Sequence, residues 1–252
     1  MWKYPDDNTH PIITAKAHIH SGHANEIPAF PKTAVLFYMH SGEEYLQQNY
    51  PTHLLCEKFP RFLRACPVYQ FDADNHFCFL DGGRGAPQAV DTLEILAALG
   101  VQNVLSVGMF GAFGEEIDSG DILIPHKAFV EEGTSLHYYD SIEEAAPSSS
   151  LHRLAMETVG TAKSLPIVSC DAVYRQTFYK EQLWRDKGAV GVDMETSALF
   201  SVGAYLGLNV VSILIASDKH PLHEGDPAWA WTMTQQSRHQ FFEQALQIAR
   251  KL

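Results

Sequence analysis

The 252-residue sequence predicts an α/β fold, one domain with a central mixed, largely parallel sheet flanked by helices. Three observations carry that expectation. Short apolar runs rich in β-branched and aromatic residues recur, as at 33–39, 103–107 and 210–215. Stretches of helical periodicity lie between them, clearest at 88–99. No internal repeat or low-complexity linker divides the chain, whose length suits one large domain.

In order, residues 1–31 are polar, rich in His and Pro, and read as an arm preceding a domain at 32–252. Thr33-Ala-Val-Leu-Phe-Tyr-Met39 is the first core strand, with a turn at Ser41-Gly42 and a short helix after it. Residues 51–76 are ambiguous. Phe77-Cys-Phe-Leu80 is a strand entering the turn Asp81-Gly-Gly-Arg-Gly-Ala-Pro87. The helix that follows has Val90, Leu93, Ile95, Leu96 and Leu99 on its apolar face, and Gly100 ends it. Strands are expected at 103–107, 121–125 and 166–169, a loop at 132–150 acting as a lid or partner contact, and a helix from about Leu151. Two further strands, 189–192 and 210–215, precede a final helix from about Met233 to Lys251.

Bulk properties exclude several function classes. A formal net charge of −12 argues against a nucleic-acid partner, because phosphate binding needs clustered Lys and Arg. Cys56, Cys66, Cys78 and Cys170 show no paired or metal-finger spacing and read as reduced thiols. No run of 18 apolar residues marks a membrane span, and the N-terminus lacks the apolar stretch of a secretion signal. The expectation is a soluble, cytoplasmic protein with no membrane partner and no cofactor. His18, His20 and His23 form a His-x-His-x-x-His cluster, but no Cys or carboxylate set completes a metal site, so no metal is expected.

The chemistry concentrates where two apolar runs stop. One leads to Gly191-Val-Asp-Met-Glu-Thr-Ser197, with Asp193 and Glu195, and the other to Ala216-Ser-Asp-Lys-His-Pro-Leu-His223, with Asp218. Ligands of open α/β sheets bind at the carboxyl ends of strands, so two acids delivered there suggest a polar small-molecule site. Two plainer roles stay open: Glu195 as the start of a helix running to Leu206, and Asp218 as a turn residue.

These segments resemble the nucleoside phosphorylase family, which includes purine nucleoside phosphorylases, uridine phosphorylases and nucleosidases. The resemblance runs in order through roughly residues 77–252. Gly83-Arg-Gly-Ala-Pro87 is similar to the family's glycine turn, and Ser106-Val-Gly-Met-Phe-Gly-Ala-Phe113 followed by Ser119-Gly-Asp121 to its phosphate-loop strand and the next strand. Gln176-Thr-Phe-Tyr179 resembles the segment that sets an aromatic ring against the base. The stretch from 217 to 223 is close to that of AMP nucleosidases, apart from an inserted residue. Those enzymes carry a further N-terminal domain for which 252 residues leave no room.

The resemblance implies cleavage of the N-glycosidic bond of a purine nucleoside or nucleotide, with release of the base. It implies Asp218 as general acid at the purine, its pKa raised by burial, and Arg238 as the partner that orients it. Glu195 is expected on the ribose hydroxyls and Met194 under the sugar. Phe178 is expected to stack on the base and Gln182 to read its edge, although core packing serves equally for Phe178. A histidine of the arm, His18 or His20, is expected to reach a neighbour's ribose in a homo-oligomer, a dimer or hexamer.

Departures from the family concern the phosphate. Ser106 stands where one phosphate-binding arginine is expected, Met109 where a hydroxyl is, and the stretch after Gly42 is acidic where another arginine is expected. A dianion without cations is unfavourable, which tilts the expectation toward water as nucleophile. Arg84 in the glycine turn remains open as a rebuilt site for inorganic phosphate, a holder of a 5′-phosphate, or a solvated charge. Arg61 and Arg64 lie where family members send an arginine into a neighbour's site. A pyrimidine-specific phosphorylase is disfavoured by the acid at 218 and by the spacing of Gln182 and Arg185. A catalytically silent nucleoside binder is disfavoured by Glu195, Asp218 and Arg238 together.

Overall fold

Ten-residue and eleven-residue strands at the centre of the sheet organise the molecule, seen in a computed structural model that describes residues 9–21 and 27–252. The elements in order are α1 (Ala15–Ile19), β1 (Thr33–Phe37), α2 (Gly42–Asn49), β2 (Thr52–Phe59), β3 (Cys66–Phe71), β4 (Phe77–Asp81) and α3 (Ala86–Ala98). Next come β5 (Asn103–Ala112), β6 (Ile122–Leu123), β7 (Ala128–Glu131), β8 (Glu144–Ala145), α4 (Ser149–Thr158), β9 (Ile167–Cys170) and α5 (Phe178–Asp186). β10 (Gly191–Asp193), α6 (Thr196–Tyr205), β11 (Asn209–Lys219) and α7 (Gln235–Ala249) complete the chain.

The sheet runs β2-β3-β4-β1-β5-β10-β9-β7-β8, and β11 pairs with β5 and β6 off this path. The central pairings β4-β1, β1-β5 and β5-β11 are parallel, as are β10-β9 and β9-β7. Antiparallel pairings occur at the hairpins and where β10 meets β5. Parallel strands are buried on both faces, which is why β1 and β4 read as continuous apolar runs. One face packs Leu36, Val104 and Leu214 with Leu93 and Leu96 of α3 and Leu199 and Phe200 of α6. The other packs Phe37, Leu105 and Ile213 with Ala155 of α4 and Phe241, Phe242 and Leu246 of α7.

β5 creates the opening for a site. Its first half pairs with β1, through Val107, and its end pairs with β10, at Gly111 and Ala112. Between these partners lie Gly108, Met109 and Phe110, where one neighbour has ended and the other, running oppositely, has not begun. Such a break in sheet order leaves a crevice at the strand ends.

Several boundaries differ from expectation. β5 extends five residues past Val107, because its glycine-bearing end keeps pairing with β11. Residues 51–76, ambiguous in sequence, are the β2-β3 hairpin, whose exposed first strand blurs the alternation. The 132–150 stretch is not a free loop: it carries a 3₁₀ turn (Ser135–His137) and β8, and Glu132 and Ser135 are buried. The polar arm contains α1, with Ile19 buried; His23 of the histidine cluster lies outside the described residues.

Candidate active site

A cavity of about 510 Å³ opens at the break in the sheet. Glu195, Met194, Arg84, Met109, Phe178 and Asp218 all line it. Its two ends differ in chemistry.

At one end stands Glu195, buried at the start of α6. Its Oε1 accepts from the Gly85 N–H of the glycine turn at 2.6 Å, so it both begins the helix and ties that turn. Burial first, then the charge of Asp193, pushes the Glu195 carboxyl up to about 8, against the opposing Gly85 N–H and the Arg84 charge. Asp193 is itself buried and raised by desolvation, although Ser169 Oγ donates to it at 2.5 Å and Thr196 donates through its hydroxyl and backbone. Arg84 faces the cavity but is engaged: Nη1 donates to Asp81 Oδ1 at 2.9 Å and to the Gly83 carbonyl at 2.6 Å. Its side chain stays exposed to solvent while Asp81 engages it. Tyr38, just past β1, presents a buried hydroxyl with no hydrogen-bond partner. Its ring lies over Gly82, where an added Cβ would sit 2.4 Å from Cζ.

At the other end β11 carries a bulge at Ser217, between Ala216 and Asp218, and a bulge re-aims the side chain beside it. Asp218 pairs across from Gly111 and is buried. Ser217 Oγ donates to its Oδ1; Trp229 Nε1, at 2.5 Å, donates to Oδ2, and His220 Nε2 lies 3.2 Å from that same atom. Burial alone raises the Asp218 carboxyl, but donation from His220, Ser217 and Trp229 outweighs it and holds the group below the usual carboxylate range. This corrects the expected raised pKa. Burial lowers the His220 imidazole, yet hydrogen bonds to Asp218 and Glu181 push it up to about 9. Phe178 remains 38% exposed and faces the cavity rather than the core, with Tyr174, Trp229 and Trp231 around it.

Five expected residues stand elsewhere. Arg238 makes no ion pair with Asp218 among the described residues, and its Nε is buried without a partner. The donors that orient Asp218 come instead from its own strand and from the loop that folds back over it. Gln182 turns to Asp186 and Arg185 on the exposed side of α5, while Glu181 faces the cavity. Ser106 is buried within β5, and Gly42 lies against the Phe37 ring, where a Cβ would come within 2.2 Å. Arg61 is likewise internal, donating to the Arg64 and Asp81 carbonyls, so it is not available to a neighbouring molecule. Sequence reasoning missed Tyr38, His220, Glu181 and Trp229. The signal for two of them was present: the Lys-His that follows Asp218, and Trp229-Ala-Trp231, an aromatic pair in an otherwise polar loop.

His18 lines a second groove of about 710 Å³ beside α3, against the Phe62 ring at 5.3 Å. Among the described residues no cluster of His, Cys, Asp and Glu is arranged to hold a metal, and no helix is long and apolar enough to cross a membrane.

The chain is 29% identical over 143 residues to a DeoD-type purine nucleoside phosphorylase of Clostridium novyi, covering 54% of this chain and 61% of that protein. It is 31% identical over 138 residues to a guanosine phosphorylase of Halorubrum lacusprofundi, covering 52% and 56%. The chain thus spans about 60% of the length of the curated relatives it matches. In structure it resembles a purine nucleoside phosphorylase of Toxoplasma gondii in complex with immucillin-H, with a TM-score of 0.73 over 88% of this chain and 90% of that one, at 17% identity. The model of the phosphorylase superfamily matches residues 48–252, and the chain belongs to that superfamily.

Proposed function

We propose that the protein cleaves the N-glycosidic bond of a purine nucleoside or nucleotide and releases the free base, with water favoured over phosphate as nucleophile. The catalytic unit spans 32–252. The observation that carries this is a single cavity with a buried carboxyl at a glycine turn, Glu195, at one end and an ionised, hydrogen-bonded acid, Asp218, at the other. Cleavage passes through an oxocarbenium-like state, so the enzyme must hold the ribose while it assists departure of the base. Glu195 accepts from the ribose hydroxyls, Met194 lies under the sugar, and Phe178 and the tryptophans flank the base. Asp218 delivers a proton to the purine.

Three features support water. Arg84 is the one guanidinium lining the cavity among the described residues, and Asp81 already engages it. Met109 is apolar, and the hydroxyl of Ser106 is within the strand core. The Tyr38 hydroxyl is a small, neutral group suited to a water and not to a dianion. Phosphate-dependent cleavage is the second reading, favoured by the phosphorolytic relatives and by the presence of Arg84 in the cavity.

The test is a product assay on adenosine, inosine, guanosine, AMP and uridine, each with and without phosphate. Free ribose, or ribose 5-phosphate from AMP, formed without phosphate is the expected result. Strict phosphate dependence with ribose 1-phosphate establishes the second reading, and no base from any substrate makes this a silent binder. A homo-oligomer is also proposed; exposed Ile13, Phe62 and Leu63 around the second groove support it, and light scattering in solution tests it.

A further inference from the structure

The acid end of the cavity contains a group that cleavage by a lone Asp218 leaves unused. His220 follows β11 directly, and its backbone N–H donates to the Ala112 carbonyl at 2.7 Å, which fixes it against the end of β5. Its ring lies between two buried carboxylates: Nδ1 is 2.6 Å from Glu181 Oε1, and Nε2 is 3.2 Å from Asp218 Oδ2. A neutral imidazole has one N–H and can donate to one of them only, whereas an imidazolium donates to both. The ring is held on every side. Glu181 faces it from α5, with Arg185 Nη1 3.9 Å behind that carboxylate, and Asp218 faces it from β11. The Phe113 ring lies 6.4 Å away, and Gly111 lies beneath, where a Cβ would meet Nε2 at 2.4 Å. Lys219 is turned to the Gly114 and Ile117 carbonyls.

Asp218, with three donors, rests as a carboxylate. It has no proton of its own to give, so one must reach it during the reaction. We propose that Glu181, His220 and Asp218 form a proton relay in which His220 supplies, through Asp218, the proton that the departing purine takes. This rests on the glycosidic-cleavage reading but is independent of the nucleophile. In the step, the His220 Nε2–H bond breaks as an Asp218 Oδ2–H bond forms, and that proton passes to N7 of the base. The C1′–N9 bond breaks with its electron pair going to the purine ring. With water as nucleophile, the new C1′–O bond forms and the water's second proton leaves to solvent, from which His220 is recharged. His220 is thus a positioning residue that acts through Asp218, and Glu181 keeps its ring oriented and charged.

The experiment compares wild type, His220→Gln and Glu181→Gln on a purine nucleoside and on 4-nitrophenyl β-D-riboside, whose phenolate departs without a proton. Expected is a fall in kcat of about 100-fold or more for His220→Gln on the purine substrate, with a far smaller loss on the nitrophenyl riboside. Wild-type kcat on the purine should decline above about pH 9, where His220 loses its proton. That limb should vanish in His220→Gln and move to lower pH in Glu181→Gln, since removing a carboxylate beside the imidazolium weakens its hold on the proton. Equal losses on both substrates, or an unaltered basic limb in His220→Gln, overturn the relay. If the nitrophenyl riboside is not turned over by wild type, the basic limb decides alone. Wild type inactive on both substrates sinks the glycosidic reading itself, which no relay variant can do.

Discussion

Glu195 and Asp218 are both buried carboxyl groups at strand ends, yet their surroundings drive them in opposite directions. Glu195 has the backbone donors of Gly85 and Met194 but is buried beside a neighbouring acid, and so holds its proton to about pH 8; Asp218 has three side-chain donors and stays ionised. On the proposed reading, ribose hydroxyls that donate to Glu195 favour its charged form, so nucleoside binding should release a proton below pH 8. Affinity is then expected to rise between pH 6 and 8, approaching roughly tenfold per unit. Calorimetry in two buffers of different ionisation enthalpy checks this, and Glu195→Gln should bind more weakly with a flat pH response. Asp218→Asn should cut purine turnover by about 100-fold to 10,000-fold with binding largely retained; unchanged turnover removes Asp218 from the mechanism. These positions were legible because each carboxylate stands where an apolar run stops. Arg238 and Gln182 were not, since the direction of a helical side chain depends on what packs beside it.

The junction of β9, β10 and α6 is held by one side chain at the level of elements. Asp193 accepts from Ser169 Oγ of β9 and from the Thr196 backbone and hydroxyl of α6, while itself ending β10. That geometry sets where Glu195 emerges. Asp193→Ala leaves those buried donors unsatisfied, and should destabilise the fold by about 1–3 kcal/mol with an accompanying loss of ribose affinity. Thermal unfolding and nucleoside titration together test it, and an unchanged Tm with normal affinity contradicts it. Gly111→Ala should instead act on the acid end, because its Cβ would displace His220. The order of strands and helices was readable from periodicity. The β2-β3 hairpin and the length of β5 were not, because they depend on backbone pairing that side-chain pattern does not encode.

For the whole molecule, the raised groups act together on stability. Glu195, Glu43 and His220 bind a proton more tightly in the folded state, at about 8, 7 and 9, than their ordinary values of 4.5, 4.5 and 6.5. The unfolded chain therefore holds fewer protons in that window, and stability falls as pH rises. The carboxyl contributions are complete below about pH 4.5 and that of His220 below about 6.5. All are gone above about 9. Asp81, Asp121 and Asp218, held low, act in the opposite sense, and their contribution is lost as pH falls below their ordinary range. Tm should fall between pH 6 and pH 9, read by scanning calorimetry; a flat or rising Tm contradicts this balance. By itself the sequence determined the α/β class, the alternation of elements, the family and the two acids, because burial on both faces and strand-end placement leave a one-dimensional pattern. Only the tertiary structure decided the protonation of those acids, the engagement of Arg84, the pairing of His220 with Glu181, and the displacement of Arg238 from Asp218. Those depend on distances between groups far apart in the chain, and burial and hydrogen bonding change the energy of a charge only once such groups meet.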